Sequence, residues 1–260
     1  MGGFAVRVEY KSVAMTDPAV LTFIAIPVLL VAALAIGVAY SARRLGEPPG
    51  ARLRVVSLTI AAAAAWMAST WAAAQSGALL DFERTPPPFA LLLAGIVILA
   101  IRIALTRFGR RLAIGVPLWA LIGVQAFRLP LELAMHALYE RGVMPVQMSY
   151  SGRNFDIVTG ITAIAVALVV RRSQAEGVAL SPGMRRLVAA WNTLGLALVL
   201  NVVIVGVLST PRLLYFGVDH VNTFVMRTPF VWLPAVMVLA ALSGHLLIFR
   251  ALFDTGRRPH

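Results

Sequence analysis

Long apolar runs alternate with short polar segments along the whole chain. A helix that crosses a bilayer needs about 20 predominantly apolar residues, and most of the runs have about that length. They predict seven membrane-spanning helices with the approximate bounds 19–40, 55–77, 89–105, 113–139, 155–170, 187–209 and 230–252. The fold class that follows is all-α, a seven-transmembrane-helix bundle that forms a single integral membrane domain over residues 1–260.

Prolines and helix-capping residues refine these helices. Asp17 supplies an N-cap for the first helix, and Pro18 suits its first position. Pro117 and Pro130 fall inside the fourth predicted helix, where they predict kinks. The fifth predicted helix has only about 16 residues, so we expect it to begin inside the preceding loop. The first apolar run is too long for a cleaved secretory signal, which predicts a retained helix.

Basic residues set the expected orientation. The chain has 23 Lys and Arg against 11 Asp and Glu, a formal net charge of +12. Fourteen of the basic residues follow the first, third, fifth and seventh helices, and seven lie in the other connecting segments. The positive-inside rule therefore predicts an outside N-terminus and a cytoplasmic C-terminus in a bacterial inner membrane. Anionic lipids of the cytoplasmic face are the expected partners of these Arg residues.

Composition removes several function classes. The chain is 60% hydrophobic and 13% charged, whereas soluble domains have about a quarter of their residues charged. The chain has no cysteine, which excludes disulfides, thiolate metal sites and cysteine nucleophiles. The last helix has no lysine for a retinal Schiff base, and HExxH, P-loop and GxSxG motifs are absent. The basic charge is interpreted as topology, so nucleic acid is not an expected partner.

One polar stretch interrupts the apolar pattern, in the fourth predicted helix and the loop after it. Each helical residue advances about 100° around the axis, so five polar side chains share an arc of about 80°. They are Gln125, Arg128, Glu132, His136 and Tyr139. Charges at membrane depth cost roughly 2.5–3.5 kcal/mol each on insertion scales and are functional candidates by default.

Further polar residues are expected at the same depth. The loop and the start of the fifth helix supply several of them, Asn201 lies in the sixth helix, and Asn222 follows that helix. The pattern predicts an outward-facing polar pocket that binds a small-molecule ligand. Its candidate residues are Gln125, Arg128, Glu132, His136, Arg153, Asn154, Asp156, Asn201 and Asn222.

A structural role for the same charges stays open. In that interpretation Arg128 pairs with Glu132, four residues away, and Asp156 pairs with Arg153 to hold the bundle together. His245 stands apart in the last helix, at a depth that differs from that of His136 by roughly 20 Å. One haem iron could not bind both, so His245 is interpreted as a helix-packing residue. No metal site is predicted, because the spacing matches no known ligand signature, and the sequence leaves any cofactor unknown.

Four segments resemble a known group of proteins. They are Phe127-Arg128-Leu129-Pro130-Leu131-Glu132, Met144-Pro145, Gly152-Arg153-Asn154-Phe155-Asp156, and Trp232-Leu233-Pro234 followed by His245. The chain resembles a group of uncharacterised bacterial polytopic membrane proteins of about this length, most closely from the fourth helix onwards. The resemblance implies that these positions belong together and implies no activity, substrate or cofactor.

Three functions fit the sequence. The first is binding or transport of a small anionic ligand or a proton, in which Arg128 and Arg153 hold an anion and a carboxylate takes up a proton. The second is an intramembrane enzyme that acts on a lipid-borne substrate, with His136 or Asp156 as general base. The third is a non-catalytic subunit or assembly factor of a membrane complex, which suits the short loops.

Overall fold

The computed structural model describes residues 13–175 and 180–253, with side chains described through residue 173 in the first range. The described residues form α-helices, short 3-10 turns and one π-helix, without a strand. The α-helices are α1 (Pro18–Arg44), α2 (Pro49–Gln75), α3 (Pro88–Leu105), α4 (Arg107–Gly115), α5 (Leu118–Val124), α6 (Arg128–Glu140), α7 (Ile157–Ala175), α8 (Pro182–Leu208) and α9 (Leu239–Phe253). The all-α prediction is confirmed for these residues.

Six helical segments are long and apolar enough to cross a membrane. They are Pro18–Arg44, Pro49–Gln75, Pro88–Leu105, Leu118–Glu140, Pro182–Leu208 and Leu233–Phe253. These six segments indicate a multi-pass membrane protein. The fifth predicted helix corresponds to α7, which is not among the six. The count of seven spans and the orientation of the termini therefore stay predictions.

The fourth predicted helix was wrong at its start. Instead of one helix over residues 113–139, α4 ends at Gly115, and the chain is extended at Val116. Proline disfavours helical backbone in the residue before it and has no N–H to donate, so Pro117 separates two helices instead of kinking one. A continuous helical segment then runs from Leu118 to Glu140. Pro130 lies near the start of α6, and the helical path continues through it.

The last predicted helix, over residues 230–252, also differs from expectation. Residues Leu233–Val238 form a π-helix that leads directly into α9. Pro234 cannot donate a backbone hydrogen bond, which disrupts the regular helical ladder here. The indole Nε1–H of Trp66 on α2 donates to the Ala235 carbonyl, at 2.8 Å. That bond ties α2 to the wide turn of the π-helix.

Contacts between loops define the two ends of the bundle. We call one of them the α6–α7 end. There, Arg212 donates to the Arg84 carbonyl at 3.2 Å, and Gln147 donates to Ser209 Oγ at 3.0 Å. We call the other the α4 end. There, Arg111 pairs with Glu47. Connecting segments thus meet at alternate ends along the chain.

Asp17 joins the start of α1 to the end of α6. Its carboxylate accepts a hydrogen bond from the Ala19 N–H at 2.8 Å and pairs with Arg141. Partial desolvation raises the pKa of Asp17, but these hydrogen bonds and the Arg141 charge outweigh it and hold the pKa below its ordinary 3.8. The contact therefore favours the ionised carboxylate.

The helices differ greatly in how much of their surface is covered. The last helix, α9, lies at the centre of the bundle and contacts α3, α4, α5 and α8. In contrast, α2 buries only Thr70 and Ala74 and exposes an apolar surface that suits lipid. The polar residues of the site lie between α6, α7, α8 and α9, where protein covers them.

Candidate functional site

A loop that folds back into the bundle builds one half of the site. Gly142, with φ of 70°, ends α6, and its N–H bonds the Tyr139 carbonyl at 2.8 Å. The chain then turns inward through Pro145 and the 3-10 turn Val146–Met148. Gly152 is needed there, since a Cβ would lie 2.2 Å from the Val146 carbonyl oxygen. Irregular backbone at membrane depth is tolerated where protein covers it.

The returning loop brings two polar side chains to face α6. Glu132 lies eight residues before the end of α6, or about 12 Å along its axis. Asn154 donates from Nδ2 to both carboxylate oxygens of Glu132, at 2.9 and 2.8 Å. Asp156 Oδ1 pairs with Arg128 Nη1 at 2.9 Å. We call Arg128, Glu132, Asn154 and Asp156 the charge cluster.

The pairing within the charge cluster corrects the sequence-based interpretation. Arg128 pairs with Asp156 instead of Glu132. Arg153, the expected partner of Asp156, lies over the Phe216 ring at 5.4 Å. The expected pairs were wrong because the loop places Asp156 against the Arg128 guanidinium and gives Glu132 an amide donor. Asn154 also accepts a hydrogen bond from the backbone N–H of Asp156 at 3.0 Å, so one side chain contacts both acidic residues.

All four members of the charge cluster are buried. Arg128, Glu132 and Asn154 are each 1% exposed, and Asp156 is 5% exposed. Arg128 has bonds to Asp156 and, at 3.4 Å, to the Gly195 carbonyl. Its Nε and Nη2 make no hydrogen bond to any residue that the structure describes. Two strong donors therefore stay available in a buried place, where an unmade hydrogen bond is costly.

A cavity borders the charge cluster. Its volume is about 20 Å³, enough for about one water molecule. Arg128, Glu132 and Asp156 line it on one side, and α8 and the π-helix add an apolar wall of Val199, Val202, Leu233, Met237 and Val238. A cavity of this size holds no small-molecule ligand in this conformation, so the expected outward-facing pocket stays a prediction.

His245 belongs beside the charge cluster, which the sequence-based interpretation missed. It is fully buried, and a Cβ on Gly195 would lie 2.9 Å from its Nε2. The same Gly195 carbonyl accepts the Arg128 bond. Arg128 and His245 thus face one glycine of α8 from two sides.

Asn192 fixes the orientation of His245. Asn192 Nδ2 donates to the His245 carbonyl at 3.0 Å, so its Oδ1 is the atom that faces His245 Nδ1 at 2.7 Å. Because an amide oxygen only accepts, Nδ1 carries the proton and Nε2 has a free lone pair. His245 Nε2 bonds to no described residue.

Two further polar side chains lie in the same region. Gln125 is fully buried against α9, with its Nε2 2.1 Å from where a Cβ of Gly244 would lie. The Thr159 methyl would lie 3.1 Å from a Cβ on Gly195. The Gln125 amide makes no hydrogen bond to a described residue, and the Thr159 hydroxyl lies close to the Asp156 carboxylate. We call Gln125, Thr159, Asn192 and His245 the histidine cluster.

The structure separates the other candidates from these clusters. His136 bonds Ser149 Oγ at 3.0 Å and stacks on Tyr150 near the α6–α7 end. Asn201 donates to the Arg153 carbonyl at 2.7 Å. Asn222 is buried close to Gly206 and Met148. Of the nine candidates, Arg128, Glu132, Asn154 and Asp156 join directly, and Gln125 joins the adjacent histidine cluster.

The candidate set lacked four residues of this region, namely Thr159, Asn192, Gly195 and His245. Their signal in the sequence is weak, since each is a single polar or small residue within an apolar run. The available clue was that Arg128 and His245 lie at about the same depth in the bundle. Arg128 lies 12 residues before Glu140, and His245 lies 12 residues after Leu233, about 18 Å along each helix.

The described residues contain no group of three or more His, Asp or Glu side chains that could hold a metal ion. The ionisable groups of the charge cluster and the histidine cluster are one guanidinium, two carboxylates and one imidazole. No family model, no curated protein and no solved structure matches the chain.

Proposed function

We propose that this multi-pass membrane protein binds or transports a proton at the charge cluster. The observation that carries the proposal is the bonding of Glu132, a buried carboxylate held by the Asn154 amide instead of by the neighbouring guanidinium. Ionisable residues inside membrane proteins commonly form proton relays. A membrane protein that needed only a structural ion pair would not need the second carboxylate.

Charge balance supports a proton. Arg128 contributes one positive charge, and ionised Glu132 and Asp156 contribute two negative charges. The charge cluster is therefore neutral when its two carboxylates share one proton. An uncompensated buried charge costs several kilocalories per mole, about 3–5 kcal/mol when one partner of a buried pair is lost. Uptake and release of one proton would thus change the cluster between a neutral and a negative form.

A small anion is the other ligand that the sequence predicts. The free Nε and Nη2 donors of Arg128 favour it, but the adjacent cavity of about 20 Å³ holds about one water molecule. An anion on these donors would have to widen the cavity and would add a negative charge beside Asp156, which already pairs with Arg128. A proton needs no wider cavity and adds no negative charge, so we favour the proton.

The proposal places the protein in a bacterial inner membrane, with the α6–α7 end outside. This orientation is supported by the excess of Arg and Lys in the connecting segments at the α4 end. In this arrangement the returning loop covers the charge cluster from the outer side. Seven spans would place the N-terminus and the C-terminus on opposite sides.

The test measures proton flux in liposomes. The purified full chain is reconstituted with a pH-sensitive dye inside, and a potassium diffusion potential drives protons inward. We expect Glu132→Gln, which keeps the shape and an oxygen for Asn154, to lower the initial rate by about tenfold or more. Glu140→Gln is the matched control, because this carboxylate of the same helix is 66% exposed.

Two results would contradict the proposal. One is a wild-type rate no higher than that of empty liposomes. The other is a Glu132→Gln rate equal to that of wild type, with both proteins folded and reconstituted to the same extent. A selective loss in Glu132→Gln, with Glu140→Gln unchanged, supports it.

A further inference from the structure

We propose that the histidine cluster is a water-binding relay that carries the proton between the charge cluster and His245 Nε2. The inference rests on the proposed function and adds a path and an acceptor to it. Its basis is the approach of Arg128 and His245 to the same glycine, Gly195, beside buried polar atoms that make no hydrogen bond to a described residue.

The geometry brings the two clusters within one glycine of each other. Arg128 Nη1 bonds Asp156 at 2.9 Å and the Gly195 carbonyl at 3.4 Å. A Cβ on Gly195 would lie 2.9 Å from His245 Nε2. Glycine is required here, since a Cβ would collide with the His245 imidazole.

The unbonded atoms are complementary. Arg128 Nε and Nη2 can only donate, His245 Nε2 can only accept in its fixed tautomer, and the Gln125 amide can do both. Buried polar groups are usually bonded to protein or to ordered water. Water, which donates and accepts, is the ligand that satisfies all of these atoms together.

Charge favours water over an anion as the ligand. Asp156 already neutralises Arg128, and Glu132 adds negative charge nearby. The groups that face His245 add no other charge, since α8 contributes Asn192 and α7 contributes Thr159. An anion would thus add negative charge to a place that already holds a buried carboxylate in excess.

The transfer step is balanced. An O–H bond of the protonated carboxyl breaks, the water chain passes the proton on, and a new N–H bond forms at His245 Nε2. The carboxylate gains the negative charge, and the imidazole becomes the imidazolium. Arg128, Glu132, Asp156 and His245 with one shared proton sum to zero net charge before and after the step.

Apolar side chains end the relay on the side of the α4 end. Three residues are fully buried about one helical turn from the level of the histidine cluster: Ile122, Val188 and Ile248. A proton on His245 therefore cannot continue in this conformation. The relay is a path within the membrane that opens to the α4 end only when these helices move apart.

The test uses the liposome assay with His245→Gln, which keeps a polar side chain but cannot carry the proton. We expect the rate of proton flux to fall by about tenfold or more. His220→Gln is the matched control, because His220 is exposed and lies outside both clusters, and it should keep the wild-type rate. If His245→Gln conducts like wild type while Glu132→Gln does not, the relay is overturned and the proposed function stands.

A second measurement does not depend on flux. In ¹⁵N-histidine-labelled protein in lipid, solid-state NMR should show His245 protonated at Nδ1, with magnetisation transfer from water to its ring. Protonation at Nε2 alone, or a ring without water transfer, would overturn the relay whatever the flux. If the wild type moves no protons, the proposed function fails, and the relay fails with it.

Discussion

At the scale of single residues, Asn154 decides how two buried carboxylates are held. One side chain donates to Glu132 and to the Met148 carbonyl, and accepts from the Asp156 backbone. The FRxPxE spacing allows Arg128 and Glu132 to pair, but spacing only shows which groups can reach each other. The loop supplies better partners for both.

Replacement of Asn154 tests this role. We expect Asn154→Ala to lower the free energy of unfolding by about 1–3 kcal/mol, because Glu132 and Met148 lose their donor while buried. Denaturant titration in mixed micelles measures the change. The control is Asn201→Ala, since Asn201 donates to the Arg153 carbonyl in a more exposed place. An equal loss in both variants would argue against a special role for Asn154.

At the scale of elements, proline has three different effects in this chain. Pro18, Pro49, Pro88 and Pro182 begin helices, as the first helical turn tolerates a missing N–H. Pro117 separates α4 from α5, and Pro234 lies in the π-helix. The sequence predicted a kink at Pro117, but not that the packing would favour a complete break between two helices there.

The π-helix depends on a contact from α2. Trp66→Phe removes the N–H that the Ala235 carbonyl accepts and keeps most of the apolar ring. We expect the free energy of unfolding to fall by about 0.5–1.5 kcal/mol, the usual net value of one hydrogen bond. Ser69→Ala on the same helix is the control, because its hydroxyl is exposed and bonds only within α2. A Trp66→Phe variant as stable as wild type would show that the bond contributes nothing.

At the scale of the whole molecule, the number of membrane crossings depends on α7. This helix has 19 residues and begins at the level of the charge cluster, beside Arg128. It extends toward the α4 end, where Arg171 lies over the Trp119 ring at 5.1 Å. Seven crossings place residues before and after α7 on opposite sides of the membrane, and six do not.

Single cysteines distinguish these two counts, because the chain has none of its own. Ser151→Cys and Gly183→Cys introduce exposed positions on the two sides of α7. With seven crossings, a membrane-impermeant maleimide should label Ser151→Cys in intact cells and Gly183→Cys only after permeabilisation. Ser76→Cys, in the segment between α2 and α3, should be labelled like Ser151→Cys. Labelling of Ser151→Cys and Gly183→Cys from the same side would contradict the seven-helix topology.

The sequence by itself determined where the apolar runs lie, that they are helical, and that residues 125–156 hold polar groups within them. The periodicity and length of the apolar runs and the positions of the prolines are local properties, so they can be read directly from the sequence. Only the tertiary structure decided which polar groups meet, because partners 22 or more residues apart depend on how a loop re-enters the bundle. The same packing placed His245 level with Arg128 and left a cavity of about 20 Å³ beside the charge cluster.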